Sequence, residues 1–312
     1  MLLNHAKLFL FFFSSHISAQ NALVFQTDFG LEEPAVASMK GVAFSVSPQL
    51  NMFDITHEIP RFDIREAAYR LNQIVDYWPV GTVFVSVVDP GVGSERKSVV
   101  MKSKSGYYFV SPDNGSLGLV AESHGVEEVR EINENTNRLP GSERSHTFHG
   151  RDVYAYTGAR LASNQMNYED VGKALEPTVK KISNPNPDSV YKNNSVIGYV
   201  TVLDTHYGNV WTNISADLFD QLDVKYGDKL NVSIISNDGK HFDGLVAYAR
   251  SFSGVSLGEA LIYINDIENI GIAINQGNFA KSHKVMTKSS TRVVITKPVS
   301  YTHLTLPTNR EV

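Results

Sequence analysis

Apolar and polar residues alternate in two different ways along the chain, and the first half shows the pattern of an α/β domain. Short apolar runs typical of buried strands alternate with stretches of helical apolar spacing. The predicted elements are strands at 22–25, 51–55 and 83–88, a helix at 36–46, and a helix whose apolar face is Ala67, Leu71, Ile74, Val75 and Trp78. This alternation predicts a layered α/β domain with a mostly parallel sheet, which we place at residues 21–180.

The pattern changes near residue 181. Residues 181–189 contain two prolines and several polar side chains, which predict a linker that we extend over residues 181–195. Short strand-like runs separated by turn residues follow. They cover residues 195–203, 229–235, 245–249, 260–264, 270–274 and 293–295. Together with the turn sequence Asn237-Asp238-Gly239, they favour a smaller antiparallel β-barrel domain at residues 196–298.

The two ends of the chain fit neither pattern. Residues 1–20 combine Lys7, a short apolar core and small residues, in the order of a secretory signal peptide. No run reaches the roughly 18 apolar residues that a membrane helix needs. We therefore expect a periplasmic or secreted soluble protein, with a cytoplasmic location as the alternative. Residues 299–312 break the preceding strand pattern and are interpreted as a non-native tail.

The amino-acid composition mainly excludes classes of partner and site. The 312 residues are 42% hydrophobic, enough for two ordinary domains with real cores. The net charge is −5, so no basic field suggests nucleic acid as a partner. The sequence contains no cysteine, which excludes disulfides, thiolate nucleophiles and cysteine-based metal sites.

Two aspartates directly follow predicted strands. Asp28 ends the first strand region and Asp89 ends the third. Because open α/β sheets bind ligands at the carboxyl ends of their strands, a shared cleft is predicted. Each aspartate could instead cap a helix or close a turn. The segment after Asp89 is not a phosphate loop, because Arg96 stands where a dinucleotide fingerprint needs its third glycine.

A second polar cluster covers residues 146–152. His146 and His149 have a spacing that can share a metal on a helix, but Gly150 favours a loop and no third ligand is near in the sequence. We therefore predict no metal. His149 is a candidate base or orienting residue, and the alternative is a cap for a helix that starts near Asp152.

Aromatic, amide and carboxylate side chains interleave at residues 203–213. Such a mixture stacks bases in nucleic-acid-binding proteins, but the expected Lys and Arg partners are missing. We interpret the cluster as a pocket for one nucleoside. The alternative is a glycine turn between two strands.

Eight short motifs occur in a fixed order between residues 22 and 290. They are Thr27-Asp28-Phe29-Gly30, Lys40-Gly41, Asp54-Ile55-Thr56-His57, Val88-Asp89-Pro90-Gly91-Val92-Gly93, Pro112-Asp113-Asn114-Gly115, Thr147-Phe148-His149-Gly150-Arg151-Asp152, Gly208-Asn209-Val210-Trp211-Thr212-Asn213 and Asn275-Gln276-Gly277-Asn278. Any one of them is a weak signal. In this order they resemble the S-adenosylmethionine (SAM) hydroxide adenosyltransferases, or SAM hydrolases, which are relatives of the fluorinase and chlorinase enzymes.

The resemblance implies a fold, a reaction and a set of residues. The implied fold is a Rossmann-like N-terminal domain and a C-terminal β-barrel, assembled as a homotrimer with active sites between neighbouring subunits. The implied reaction converts SAM and water into adenosine and methionine, with SAM as substrate and no cofactor. The implied catalytic residues are Asp89, Arg96 and His149. The implied substrate contacts are Asp28 at the ribose diol, Phe62 beside the sugar, Asp204 at the methionine ammonium, Asn209 and Asn275 near the adenine, and Asp266 at the methionine end.

Three features separate the chain from the halogenase relatives. Those enzymes carry Tyr at the position of Asp89, a Tyr-Ser pair at the position of His149-Gly150, and an insertion for which segment 97–111 has no room. All three differences favour water over halide. Two other residues depart from the family pattern. Ala35 replaces a polar or aromatic residue, and Asp266 replaces the serine that binds the methionine end in the family.

The residue types suggest how the work is divided. Arg96 beside Asp89 should keep that carboxylate ionised and suited to orienting a water. His149 is then the better proton acceptor or relay, and Arg96 would stabilise hydroxide-like charge. Two other functions stay open: a SAM-dependent halogenase that uses chloride, and an extracytoplasmic nucleoside- or SAM-binding protein without turnover, which the signal peptide motivates.

Overall fold

The computed structural model of the chain describes residues 21–182, 186–287 and 290–298. The chain divides between residues 182 and 183 into two units. The predicted signal peptide and the predicted tail at 299–312 lie outside the described residues, and the predicted linker contains a short strand at Val190–Lys192. In the described ranges, no helix is both long and apolar enough to cross a membrane.

The N-terminal unit is built on a sheet with the strand order β2-β1-β3-β5-β4-β6-β7. Its strands are β1 (Leu23–Thr27), β2 (Met52–Thr56), β3 (Val83–Val87), β4 (Ser98–Ser103), β5 (Tyr108–Pro112), β6 (Val126–Glu131) and β7 (Ala174–Leu175). Its α-helices are α1 (Ala35–Val46), α2 (Ile64–Ile74), α3 (Gly118–His124) and α4 (Tyr156–Ala162). Shorter helical segments are 3₁₀ turns at Val75–Tyr77 and Tyr168–Val171 and a π-helix at Gly150–Ala155.

The prediction of an α/β fold with a mostly parallel sheet is confirmed for the strands that begin the chain. Strands β2, β1, β3 and β5 pair in parallel. Strands β4, β6 and β7 then add antiparallel pairings at the other edge. All residues of β1 and β3 are buried, as expected for central strands covered on both faces.

Two apolar layers cover the sheet and fix the position of β1. Phe25 belongs to the layer that contains Met39 of α1. Its neighbour Val24 joins the opposite layer with Leu71 of α2, because successive strand residues point to opposite faces. Full burial of such a side chain contributes about 1.5–3 kcal/mol, so the two layers hold β1 firmly between them.

Helix α2 is shorter than its apolar spacing predicts. Asp63 caps its start by accepting hydrogen bonds from amides of the first turn. The prediction of one helical face that includes Trp78 is wrong, because the helix ends at Ile74 and a 3₁₀ turn follows. Trp78 packs edge-on against Phe84 instead, with ring centroids 6.3 Å apart.

The C-terminal unit is a closed β-barrel, which confirms the prediction for this half of the chain. The ring order is β10-β14-β13-β12-β11-β15-β9 and back to β10, with β8 paired to β9. Among the described strands of this unit, only β12 and β13 pair in parallel. The elements are β8 (Val190–Lys192), β9 (Ser195–Asp204), β10 (Asn209–Ser215), α5 (Ala216–Asp220), β11 (Lys229–Ser236), β12 (Gly239–Tyr248), a 3₁₀ turn (Phe252–Gly254), β13 (Ala260–Ile264), β14 (Asn269–Ile274), α6 (Phe279–Ser282) and β15 (Arg292–Thr296).

Strand alternation explains the barrel interior. Every second residue of β9 is buried along most of its length, so one face lines the core. The predicted Asn237-Asp238-Gly239 turn connects β11 to β12, and Gly239 adopts a φ of +126° that favours glycine.

Candidate active site

The carboxyl ends of β1 and β3 place two aspartates at one edge of the parallel sheet. The two strands pair in register to their last residues, and Asp28 and Asp89 follow within two residues. Asn114 donates from Nδ2 to the carbonyl of Val88 at 2.8 Å, which holds the backbone directly before Asp89. The positions of these aspartates therefore follow from the parallel pairing.

A glycine-rich bend returns Arg96 to Asp89. The amide of Val92 donates to the carbonyl of Asp89 at 3.3 Å, and Gly93 adopts a φ of +78°. Arg96 donates from Nε to Asp89 Oδ1 at 2.9 Å and from Nη2 to Oδ2 at 2.5 Å. The two side chains are 7% and 6% exposed, so this bidentate, charge-assisted pair is largely desolvated.

His149 lies against the same guanidinium. Its Nδ1 is 3.1 Å from Arg96 Nη2, and the residue is buried. His149 stands at the N-cap position of the π-helix, but its side chain makes no capping hydrogen bond there. His146 is exposed, unlike His149. In the part of the chain that the structure describes, no group of three or more His, Cys, Asp or Glu side chains is arranged to hold a metal.

The segments that carry Asp28 and His149 also contact each other. Phe29 packs edge-on against Phe148, with ring centroids 5.9 Å apart. Gly150 lies so close that a Cβ there would be 3.1 Å from Phe29 Cε2. The site at this sheet edge is therefore formed by the segments after β1, after β3 and before the π-helix.

Electrostatics keep the cluster in one charge state. Burial opposes the charge of Arg96, but the hydrogen bond and charge of Asp89 outweigh it and raise the pKa of Arg96. Burial lowers the pKa of His149; Glu134 opposes this, and the charges of Arg96 and Arg138 lower it further. Both shifts favour a charged guanidinium beside a neutral imidazole.

Arg138 and Glu134 belong to this cluster although no motif indicated them. Arg138 Nη2 lies 3.2 Å from His149 Nε2 and donates to Glu134 Oε2 at 2.5 Å. Glu134 Oε1 is 4.0 Å from His149 Nδ1. Their one sequence signal is the four-residue spacing of opposite charges, which lies in a segment without apolar periodicity.

Ser98 and Tyr154 hold Arg96 in place through a chain of hydrogen bonds. Arg96 Nη1 donates to Ser98 Oγ at 2.9 Å, and Ser98 Oγ lies 3.0 Å from the Tyr154 hydroxyl. Tyr154 is fully buried, and burial raises the pKa of its hydroxyl above the ordinary range. The hydroxyl therefore stays protonated, and the chain of contacts fixes the third nitrogen of the guanidinium.

Asp28 borders an open cleft. A cavity of about 610 Å³ lies between residues 28–33 and 57–61. Asp28 Oδ2 accepts a hydrogen bond from the amide of Phe62 at 2.8 Å. Phe62 is 67% exposed and has a φ of +67°, an uncommon conformation for an aromatic residue. This pairing places Phe62 next to the carboxylate of Asp28.

A chain of polar contacts anchors the Asp28 segment. Lys40 Nζ donates to Asp54 Oδ2 at 2.5 Å, and Asp54 Oδ1 lies 3.1 Å from His57 Nε2. His57 Nδ1 is 2.8 Å from Thr27 Oγ1, which accepts from the amide of Phe29 at 3.2 Å. Lys40, Asp54 and His57 thus act on the segment that holds Asp28.

Three predicted residues gather at one end of the barrel. Asp204 and Asn209 face each other across β9 and β10, and Asn209 Nδ2 donates to Asp204 Oδ2 at 3.1 Å. Asn275 directly follows β14, whose end lies beside the start of β10. Gly208 packs against Asn278 so closely that any Cβ would overlap that side chain. Segment 275–278 therefore lies beside the Asp204–Asn209 turn.

Two of the predicted substrate contacts differ from Asp204 and Asn209 in their surroundings. Asn275 donates from Nδ2 to the carbonyl of Val255 at 2.9 Å, so its amide group already has a backbone partner. Asp266 is exposed and lies in the turn between β13 and β14, at the opposite end of β14 from Asn275. Burial and the nearby carboxylates of Asp204 and Asp266 raise the pKa of Tyr263 to about 12, although the hydrogen bond from Trp211 acts in the opposite direction.

Comparison with known proteins gives one family for both units. Residues 23–172 match the N-terminal domain and residues 198–292 the C-terminal domain of the SAM hydroxide adenosyltransferases. A protein of Methanocaldococcus jannaschii named (R)-S-adenosyl-L-methionine hydrolase is 38% identical over 268 residues, covering 85% of this chain and 88% of the relative. A fluorinase of Nocardia brasiliensis is 27% identical over 301 residues, covering 88% and 96%.

A solved structure gives the same result at the level of the fold. The crystal structure of an uncharacterized conserved protein from Thermotoga maritima matches with a TM-score of 0.80 and 36% sequence identity. The match covers 88% of this chain and all of that chain. The chain belongs to the SAM hydroxide adenosyltransferase family.

Proposed function

We propose that this protein hydrolyses S-adenosyl-L-methionine to adenosine and L-methionine. Family membership supports a SAM-derived substrate, and relatives named SAM hydrolases support water as the acceptor. The observation that carries the proposal is the buried cluster of Asp89, Arg96 and His149. A carboxylate, a guanidinium and a neutral imidazole in contact can orient one water and accept its proton.

The reaction forms one bond and breaks one. The water oxygen attacks C5′ of the ribose opposite the sulfonium, and the electron pair of the C5′–S bond leaves with the neutral thioether of methionine. One water proton stays on the new 5′-hydroxyl, and the other passes to His149 and then to solvent. A neutral leaving group needs no acid, so catalysis depends on bringing the water in line, which can supply several kcal/mol.

We assign the roles from the contacts. Both oxygens of Asp89 accept from Arg96, so the carboxylate orients the water rather than taking its proton. The lowered pKa of His149 keeps the imidazole unprotonated and ready to accept that proton. Arg96 stabilises negative charge on the attacking oxygen. Near-normal turnover of His149→Ala between about pH 6 and pH 9, with turnover lost in Asp89→Asn, would reverse the first two roles.

The substrate-binding roles extend the same proposal. Asp28 accepts hydrogen bonds from the ribose diol, and Phe62 packs beside the sugar. Asp204 pairs with the methionine ammonium, and Asp266 takes the methionine end. Asn209 and Asn275 contact the adenine. SAM is the substrate, no cofactor takes part, and the enzyme acts as a periplasmic or secreted homotrimer, which sizing of the purified protein and fractionation of cells would test.

A chloride-dependent halogenase is the second candidate, because fluorinases are among the relatives. Three features weigh against it. Asp89 and His149 fill positions where halogenases carry tyrosines, and β4 and β5 are joined by residues 104–107 alone, without an insertion. A dry halide site also gains nothing from a carboxylate, which repels an anion.

The deciding experiment incubates the purified protein with SAM in ¹⁸O-labelled water, with and without chloride. We expect adenosine that carries one labelled oxygen and methionine in equal amount, at a rate independent of chloride. Asp89→Asn, assayed in parallel, controls for contaminating hydrolases. Formation of 5′-chloro-5′-deoxyadenosine would establish the halogenase instead, and stable SAM binding by calorimetry without either product would make the protein a binder.

A further inference from the structure

His149 lies between two arginines. Arg96 Nη2 is 3.1 Å from its Nδ1, and Arg138 Nη2 is 3.2 Å from its Nε2. The side chains of His149 and Arg138 are 7% and 6% exposed. Both nitrogens of a buried imidazole are thus covered by permanently charged donors, and Arg138 is the one that the family motifs do not include.

The hydrogen-bonding capacity of the three side chains decides the charge of the imidazole. Arginine has only donors, and an imidazole nitrogen accepts only when it carries no proton. The neutral ring can accept from one of the two arginines. The protonated ring can accept from neither, and its charge would add to two guanidinium charges in a desolvated place. The geometry therefore favours the neutral ring.

Glu134 supplies the opposing charge. Its Oε2 accepts from Arg138 Nη2, and its Oε1 lies 4.0 Å from His149 Nδ1. The Glu134 side chain is 36% exposed. Asp89 approaches through Arg96, and the Tyr154 ring lies edge-on to the imidazole at 6.5 Å. These are the titratable and charged groups that face His149 from the segments after β3, after β6 and in the π-helix.

Arg138 is held in place independently of His149. Its Nη1 donates to the carbonyl of Ser145 at 3.1 Å, and the amide of Leu139 donates to the carbonyl of Asp152 at 2.8 Å. The segment after β6 is therefore tied to the π-helix that follows His149. A guanidinium fixed in this way keeps its charge against Nε2 without help from a substrate.

We propose that Arg138, paired with Glu134, is a positioning residue that keeps His149 deprotonated in the resting site, so that an imidazole nitrogen can take the proton of the attacking water once it gives up its arginine contact. The inference rests on the proposed function for its role in turnover, but the contact and its effect on the imidazole do not. Arg138 touches neither the water nor the substrate in this scheme and acts through His149. Glu134 opposes this effect. Removal of Arg138 should therefore raise the pH at which His149 titrates, and removal of Glu134 should lower it.

The first test measures His149 directly and needs no substrate. The ¹³C-labelled histidine rings of the full-length protein are titrated by NMR, and the spectrum of His149→Gln identifies the signal. Arg138→Met should raise the midpoint by on the order of one pH unit, because a positive charge at contact distance is removed. Glu134→Gln should lower it, and Arg138→Lys should keep it near the wild-type value.

Arg130→Met is the matched control. Arg130 also pairs with a glutamate, Glu128 at 2.7 Å, and donates to the backbone carbonyls of Glu169 and Gly172, but among the described residues it has no histidine partner. It should leave the His149 midpoint unchanged. An unchanged midpoint in Arg138→Met, or shifts of the same sign in Arg138→Met and Glu134→Gln, would overturn the proposal. Should Arg138→Met fail to fold, the shift in Glu134→Gln decides in the same way.

The second test follows turnover of SAM against pH. In Arg138→Met the loss of kcat/KM on the acid side should begin at higher pH by the same amount as the NMR midpoint, with recovery at alkaline pH and rescue by Arg138→Lys. A fall in kcat/KM that is equal at every pH would mean a structural role and overturn the proposal. If the wild-type protein does not turn over SAM, the proposed function fails while the NMR titration still decides this inference.

Discussion

Arg96 and Asp89 form a buried, two-pronged ion pair although seven residues separate them along the chain, with Nε donating to Oδ1 at 2.9 Å and Nη2 to Oδ2 at 2.5 Å. The bend between them exists because Gly93 can adopt a positive φ. Removing one partner of such a pair leaves a desolvated charge without compensation. The pair therefore ties the proposed chemistry to the stability of the N-terminal unit.

Asp89→Asn should remove most activity and destabilise the fold. The amide would present its NH₂ group to Arg96, so one hydrogen bond becomes a contact between two donors. We expect kcat/KM to fall by about 10²–10³ and the free energy of unfolding to fall by about 3 kcal/mol, measured by steady-state kinetics and urea denaturation.

Asp243→Asn provides the control for this prediction. Asp243 pairs with Lys240 at 2.5 Å, but both side chains are 54% exposed, and surface pairs contribute about 0–1 kcal/mol. Both measurements should stay close to wild type in this variant. Retention of near-normal kcat/KM by Asp89→Asn would remove Asp89 from the site.

The stability of the protein should depend on His149 below neutral pH. Burial lowers the pKa of His149 in the folded state, with the arginines adding to this effect against Glu134, whereas an unfolded histidine titrates near about 6.5. As the pH falls below that value, the unfolded chain takes up a proton that the folded protein does not, so the folded state loses stability. Above it, the contribution is constant.

His149→Gln tests this linkage, because glutamine does not titrate. The wild-type urea midpoint should fall more steeply than that of His149→Gln between about pH 7 and pH 5. Parallel falls in the two proteins would mean that His149 titrates normally in the folded state. His283 also has a pKa lowered by burial, so His283→Gln shows how much of the slope comes from the other unit.

The sequence predicts the half of the site that follows apolar strands. Asp28 and Asp89 lie at one edge of the sheet because β1 and β3 are mostly apolar, pair in parallel and end within two residues of them. The turn before Arg96 is likewise encoded by its glycines. Such features depend on residues close in sequence or on a strand pattern that a single chain reveals.

The rest depends on contacts between distant segments. Arg138 reaches His149 from a segment without periodicity, and Tyr154 reaches Ser98 through a π-helix that no propensity predicts. The antiparallel strand β6, which lies between β4 and the edge strand β7, escapes detection because only one of its residues, Val129, is fully buried. The apolar spacing placed Trp78 on the face of α2, but its packing against Phe84 outweighs that local preference.

Gly150→Ser should weaken substrate binding through Phe29. A Cβ at position 150 would lie 3.1 Å from Phe29 Cε2 and 3.3 Å from Phe148 Cε2, tighter than ordinary van der Waals contact. Phe29 must move, and Asp28 is its direct neighbour. We expect the KM for SAM to rise by about tenfold, or ~1.4 kcal/mol, with a smaller change in kcat.

Gly41→Ala is the control for Gly150→Ser. Gly41 lies in α1, and a Cβ there meets nothing within 4 Å. Alanine should leave KM unchanged and stabilise the helix by up to about 1 kcal/mol. An unaltered KM in Gly150→Ser would show that the ring pair adapts without moving Asp28.

Asp54→Asn should raise KM from a distance, through the contacts that run from Lys40 to Phe29. Burial raises the pKa of Asp54, but the hydrogen bonds and charges of Lys40 and His57 outweigh it, so the pKa lies below the ordinary value. At pH values above the ordinary carboxyl pKa, the ionised Asp54 therefore holds His57 in place. This contact is lost only as the pH falls through the lowered pKa of Asp54. Asparagine removes that charge at every pH.

We expect Asp54→Asn to raise the KM for SAM by about threefold to tenfold, or ~0.7–1.4 kcal/mol, while kcat changes little, because the Asp89–Arg96–His149 cluster does not include Asp54. Thr27→Val breaks the same chain at its other end and should act in the same direction. Since both residues act through one series of contacts, the double variant should cost less than the sum of the two single variants. Full additivity, or a loss confined to kcat, would show that the chain does not position Asp28.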